Sequence, residues 1–237
     1  ATTNSIPLIA SSIMSKKIAG GADKIVIDIK VGSGALLKTK EEAERLSSLL
    51  IKIGTYYQKE VRTVISNMDV PLGHNVGNKL EVLEALDVLN GKEKGALYDL
   101  VIELASEMVS LGKEISVESA KKEVVDNLEN GKALNKFLEL VKYQHGNIDN
   151  LSIDAKIYNI KANKSGVLKN INALSIAKLS ESLGAGRKSK DAKIDYNAGV
   201  VLRKNIGDEI KEGDVLASLY TNIENPTFNL DKAFEIS

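Results

Sequence analysis

Residues 24–31 read KIVIDIKV and run straight into Gly32, Ser33 and Gly34. A short run rich in β-branched residues and closed by a glycine turn predicts a buried β-strand. Working outward, residues 8–19 (LIASSIMSKKIA) read as a helix, with Pro7 near its first turn and Gly20-Gly21 ending it. Beyond the strand, Thr39, Lys40, Glu41 and Glu42 have the form of a capping box, and Leu46, Leu49, Leu50 and Ile53 follow at helical spacing. Residues 61–66 (VRTVIS) predict a second strand. Residues 67–78 (NMDVPLGHNVGN) are rich in Gly, Pro and Asn, as a loop at the edge of a sheet often is. Helices are then predicted at 80–89, along the apolar stripe of Leu97, Leu100, Val101, Leu104, Met108 and Leu111, and at 117–128 and 132–143. Strands alternating with helices predict α/β organisation, a mixed sheet with flanking helices.

Near residue 150 the texture changes. Residues 153–162 (IDAKIYNIKA) read as a strand, followed by Gly166-Val167, a short helix around 174–183, and Gly184-Ala185-Gly186. Residues 199–222 (GVVLRKNIGDEIKEGDVLASLYTN) read as short strands separated by Gly-Asp turns. This predicts a β-rich C-terminal domain, α+β and barrel-sandwich-like, with its boundary at 150–156. A biotin- or lipoyl-carrier reading ranks low, because no Met-Lys-Met-type hairpin presents a modifiable lysine.

Composition narrows the chemistry. With 237 residues, 43% of them hydrophobic and 27% charged, the chain has the balance of a globular protein with ample length for a core. Its 32 Lys+Arg balance 32 Asp+Glu, which argues against a dedicated nucleic-acid or anionic-membrane binder. Only Arg45, Arg62, Arg187 and Arg203 are arginines, too few for a phosphate surface built on guanidinium forks. The absence of Cys removes disulfides, thiolate nucleophiles and Cys-based metal sites. His74 and His145 are too few for a multi-histidine metal site, and the scattered Tyr residues form no stacking platform. No apolar run is long enough to span a bilayer and no signal peptide is visible, so the cytoplasm is the expected location.

Four segments carry a resemblance. They are Ser5–Lys17 (SIPLIASSIMSKK); Asp28–Ala35 (DIKVGSGA); Met68–Gly73 (MDVPLG) with Val76-Gly77-Asn78 and Glu81-Val82; and Leu183–Arg187 (LGAGR) with Ile194-Asp195 and the Gly-Asp turns at 207–208 and 213–214. In this order, and over nearly the whole chain, they resemble the thymidine and pyrimidine-nucleoside phosphorylases. GSG or GAG alone is weak; four segments in register are strong.

The resemblance implies that inorganic phosphate, as co-substrate, attacks C1′ of a pyrimidine nucleoside to give free base and (deoxy)ribose 1-phosphate. As the glycosidic bond breaks, the sugar becomes oxocarbenium-like and the base departs with negative charge on its carbonyl oxygens. Fixed donors or a cation at those oxygens therefore lower the barrier. Ser12 and Lys16 match the family's base-binding serine and lysine, with Lys16 as the catalytic cation. They lie four residues apart, on one helical face. Spacing alone favours a solvated lysine beside a small packing residue; the surrounding SIPLI…SxxxK match reverses that.

The glycine turn after the first strand exposes backbone N–H groups but is neither a Walker loop nor a full Rossmann pattern. Lys30 and Gly32–Gly34 therefore read as structural lining of the cleft. The resemblance also implies a K⁺-like cation held by the main-chain carbonyls of Leu72 and Asn75 and the carboxylate of Glu84, hard oxygen ligands of the kind such ions take. Asn75 replaces the small residue usual there, a change that leaves its carbonyl in place. Glu84 reads equally well as an ordinary helix-surface acid. His74 reads as a loop-surface residue and His145 as a partner of terminal helix carbonyls. Arg187 belongs either to a mobile cleft-closing loop or to a structural tie.

The resemblance begins part-way through the family's length, so the phosphate motif, the acid histidine and the base-binding arginine are expected outside these residues. In that frame residues 1–21 are the last helix of a helical lobe with its hinge, and 22–152 the C-terminal part of the α/β phosphorylase domain. Residues 153–237 are then the β-rich domain. The full-length protein is expected to be a cytoplasmic homodimer acting on pyrimidine nucleoside and phosphate, with no organic cofactor, nucleic acid or membrane partner. The isolated chain is expected to be inactive. The alternative is a non-catalytic structural or binding module, and these residues do not choose among uridine, thymidine and deoxyuridine.

Overall fold

The run KIVIDIKV forms β1 (Lys24–Val31), which pairs in parallel with β2 (Glu60–Asn67), from Lys24 opposite Glu60 to Val31 opposite Asn67. This computed structural model describes residues 4–187, 189–230 and 232–237, and over them the fold is mixed α/β. Residues 1–3 of the expected first segment lie outside the described residues. Contacts divide the chain into two compact units, each made of two stretches of sequence. One holds residues up to 68 with 96–127; the other holds 69–95 with 128–237.

In the first unit, α1 (Ile6–Ala19) buries Ile6, Ala10 and Met14 at four-residue intervals along one face. Pro7 occupies its first turn, where a missing N–H leaves no bond unmade. α2 (Lys40–Tyr56) links the two strands, and its start is the expected capping box. The Thr39 hydroxyl accepts from the Glu42 N–H, and the Glu42 carboxylate accepts from the Thr39 N–H, both at 3.3 Å. Ala43, Leu46 and Leu50 of α2 share one core with Ile25 and Ile29 of β1 and Met14 of α1.

The apolar stripe forms α4 in chain order, but its buried face differs from the expected one. With α3 given below, α4 spans Ala96–Lys113. Leu100, Ile102, Ser106, Ser110 and Leu111 are buried, whereas Met108 is 62% exposed. The polar cause is Arg62 of β2, whose Nη1 donates to Glu107 Oε2 and to Ser110 Oγ, both at 3.0 Å, turning those residues toward the sheet. α5 (Val117–Glu129) follows, tied to α4 by a Lys113–Glu123 ion pair.

The strand pairs of the second unit are antiparallel. β3 (Asn75–Val76) arises inside the stretch expected to be loop and pairs with β6 (Gly199–Leu202). With β8 (Val215–Thr221) and β4 (Lys156–Lys161) these form a four-stranded sheet of order β3-β6-β8-β4. β5 (Gly166–Ile171) lies between β7 (Glu209–Ile210) and β9 (Phe234–Ile236) in a second sheet.

Both Gly-Asp turns act as backbone clasps. Gly207 N–H donates to Leu168 O at 2.8 Å while Leu168 N–H donates to Asp208 O at 3.0 Å. Gly213 and Asp214 hold Ala162 the same way, at 2.9 and 2.8 Å. The two glycines take φ of 93° and 91°, a region that a side chain disfavours. α7 (Ala173–Ser180), capped by the Asn172 side chain, packs Ile176 into a core with Leu168, Leu183, Val200 and Leu219. α3 (Asn78–Leu89) and α6 (Lys132–Tyr143) complete the unit. His145 ends α6 with φ 60° and its N–H on Lys142 O at 3.0 Å, so its backbone makes the terminal bond expected of that residue.

Candidate active site

Amphipathic packing decides where the first pair of expected residues points. Because α1 buries Ile6, Ala10 and Met14, its other face carries Ser12 and Lys16 into solvent, one turn apart. Among the described residues no hydrogen bond or ion pair engages either side chain; the nearby Ser15 hydroxyl donates to the Ser12 carbonyl instead, at 3.2 Å. The pair is thus one ammonium and one hydroxyl, free for a ligand oxygen.

The turn after β1 is closed on itself. Gly32 N–H donates to Leu37 O at 3.1 Å, Gly34 N–H to Met68 O at 2.8 Å, and Ala35 N–H to Gly32 O at 3.1 Å. Lys38 Nζ then caps the carbonyls of Ser33 and Ala35 at 3.0 and 2.6 Å. These N–H groups are committed within the unit, which makes the turn a brace and not an open phosphate cradle. Just before it, Lys30, Asp28 and Ser66 form a compact polar group on one face of the sheet.

In the second unit, Glu84 is the most deeply placed charge among the described residues, 6% exposed. That removes the helix-surface reading. Its Oε1 accepts from the His74 N–H at 2.6 Å and its Oε2 from the Asn75 N–H at 3.2 Å. Burial pushes its carboxyl above the usual range, against the lowering effect of those two amides. Gly73 gives it room, since a Cβ there would lie 2.3 Å from Oε2. Asn75 donates its side-chain amide to Leu80 O at 2.7 Å, which fixes the turn. Leu72 sits half-buried three residues earlier.

No group of three or more His, Asp or Glu side chains able to hold a metal occurs among the described residues, so a divalent side-chain cage is not offered there. Glu84 offers one desolvated carboxylate, a hard-oxygen donor.

His74, expected as a surface residue, lines a cavity of about 340 Å³ with Glu84, Asp87, Arg203 and Asn205. Its Nε2 lies 2.8 Å from Asn205 Oδ1, and its Nδ1 is 3.5 Å from Glu93 and 3.7 Å from Glu84. Sequence patterns assign no site role to Asn205 or Arg203; only the turn signal at Asn205–Asp208 marks their neighbourhood. Around Arg187, backbone anchors dominate. Asp195 N–H donates to Gly184 O at 2.9 Å, Asn78 Nδ2 to Ala185 O at 3.0 Å, and Thr221 Oγ1 to Leu183 O at 2.7 Å.

Residues 1–134 match the model of the glycosyl transferase family a/b domain, and residues 167–235 match that of the pyrimidine nucleoside phosphorylase C-terminal domain. A pyrimidine-nucleoside phosphorylase of Bacillus subtilis is 42% identical over 99% of this chain and 56% of its own length. Relatives of the same name from Staphylococcus haemolyticus and Staphylococcus aureus are 43% and 41% identical, over 99% and 100% of this chain and 57% of theirs. The chain therefore spans just over half the length of the curated relatives it matches.

Proposed function

The chain belongs to the pyrimidine-nucleoside phosphorylase family of glycosyl transferases, and from that premise we propose that it takes part in phosphorolysis of pyrimidine nucleosides. In the reaction a phosphate oxygen bonds to C1′ as the C1′–N1 bond breaks. The electron pair leaves with the base, which then takes up a proton, and the sugar becomes (deoxy)ribose 1-phosphate. The single observation that carries this reading is the free Ser12–Lys16 pair on the exposed face of α1. Lys16 supplies positive charge to the base carbonyl oxygen as negative charge builds there, and Ser12 fixes the base edge with its hydroxyl.

The second part of the proposal is a K⁺-like ion held by the carbonyls of Leu72 and Asn75 and the carboxylate of Glu84. The ion supplies a fixed positive charge that balances Glu84 and stiffens the turn at 72–75. The family resemblance adds a homodimer and a cytoplasmic setting to the proposal. No helix among the described residues is long and apolar enough to cross a membrane.

The test is phosphate-dependent release of uracil or thymine by a protein of the relatives' full length that carries this sequence. Lys16→Ala is expected to lower kcat/KM by about 10²–10³, the loss usual for one transition-state donor. Unchanged turnover in that variant would overturn the site assignment. The 237-residue chain by itself is expected to give no turnover, and measurable phosphorolysis by it would refute that expectation.

A further inference from the structure

Parallel register brings together three side chains that the sequence keeps apart. Lys30 stands opposite Ser66, and Asp28 precedes Lys30 by two residues, so all three share one sheet face at the carboxyl ends of β1 and β2. Lys30 Nζ lies 2.7 Å from Asp28 Oδ2 and 2.9 Å from Ser66 Oγ, and Ser66 Oγ donates to Asp28 Oδ1 at 2.5 Å. At the amino ends of the same strands, the charges on this face serve a different purpose. Lys24 pairs with Glu114 at 2.7 Å and Arg62 with Glu107 at 3.0 Å, joining sheet to helix. Among the described residues the side chains at the carboxyl ends bond to one another, and 29% of Lys30 and 21% of Asp28 stay exposed.

We propose that Asp28, Lys30 and Ser66 form a binding site for a pentose hydroxyl of the nucleoside, an assignment that rests on the phosphorolysis reading above. An ammonium has three donors, and two are spent on Asp28 and Ser66, which leaves one N–H toward solvent. Each Asp28 oxygen accepts one bond and keeps a lone pair. One donor beside one acceptor matches a hydroxyl, which both donates and accepts. A phosphate is a poor fit, since Asp28 already cancels the positive charge of Lys30 and leaves no net charge to attract an anion. A metal ion is a poor fit because Lys30 occupies the carboxylate. The location agrees with the general tendency of α/β sheets to take ligands beyond the carboxyl ends of their strands.

The experiment is titration calorimetry of the 237-residue chain with uracil and with uridine, each at millimolar concentration. Uridine is expected to bind about tenfold more tightly than uracil. Lys30→Gln and Asp28→Asn are each expected to bring uridine down to the affinity of uracil while leaving uracil itself unchanged. Lys30→Arg is expected to keep part of the gain, a rescue that a purely structural role does not produce. Ser66→Ala, a milder change, serves if either charge variant fails to fold, and is expected to halve the gain or more. Equal binding of uridine and uracil by the wild-type chain, or a gain that survives these substitutions, overturns the sugar assignment alone. Uracil binding that Lys16→Ala leaves unchanged overturns the underlying reading, and the sugar assignment with it.

Discussion

Asp28 and Glu84 are both carboxylates drawn into the protein, one in each compact unit, and they are stabilised by opposite means. Asp28 is neutralised by side chains, Lys30 at 2.7 Å and the Ser66 hydroxyl at 2.5 Å. Glu84 is held by backbone, the His74 and Asn75 N–H groups, and the nearest ring nitrogen of His74 is 3.7 Å away. Amide donors satisfy lone pairs but carry no net charge, so burial still pushes the Glu84 carboxyl up. The first arrangement leaves a neutral group with a donor and an acceptor in reserve. The second leaves a negative charge that a cation would balance. The same residue type thus prepares two chemistries, decided by whether its partners are charged.

The sharpest way to break this comparison is Glu84→Gln. Glutamine offers one acceptor oxygen where two N–H groups, at 2.6 and 3.2 Å, each point at a carboxylate oxygen. One buried N–H then faces an amide donor, which is expected to lower stability by about 2–3 kcal/mol. Urea unfolding of the 237-residue chain measures it, and a loss under about 0.5 kcal/mol would mean that the amides do not depend on the carboxylate. A smaller effect tests the charge itself. Potassium at ten times its dissociation constant is expected to raise stability by roughly 1.4 kcal/mol over tetramethylammonium at equal ionic strength, and not to do so in Glu84→Gln. Equal unfolding midpoints in the two salts would remove the cation from the proposal.

Much of the fold is legible in local sequence patterns. The capping box at Thr39 and the glycine turn after KIVIDIKV are read within a few residues, and both occur. What escapes depends on pairing across long stretches of chain. β3 is two residues long, too short to show a period of two, and exists because β6 binds it from more than 120 residues away. That pairing also explains why residues 69–95 belong to the same compact unit as the C-terminal sheets. Glu84 is ambiguous in the sequence for a similar reason: an acid on an amphipathic helix looks solvated until the turn at Gly73 closes over it. The apolar stripe of α4 misleads through one polar contact, because Arg62 claims Glu107 and Ser110 and so leaves Met108 in solvent. The Ser12–Lys16 pair is legible as a shared face, since helical spacing alone places it.

The last test asks whether the Asp28 group is a true pair. If Lys30 and Asp28 stabilise one another, removing either leaves a half-buried charge without its partner, while removing both leaves none. Asp28→Asn and Lys30→Met are therefore each expected to lower stability more than the double variant Asp28→Asn/Lys30→Met does relative to either single change. The coupling is expected at about 1 kcal/mol, modest because both side chains keep some contact with water. Glu84 offers no equivalent side-chain pair, because its hydrogen-bond partners are main-chain N–H groups, which only a backbone-altering proline would remove. Strict additivity of Asp28→Asn and Lys30→Met in urea unfolding would put the two carboxylates back in one class. A measured coupling beside an uncompensated Glu84→Gln would keep them apart, one carboxylate matched by a side chain and the other awaiting an ion.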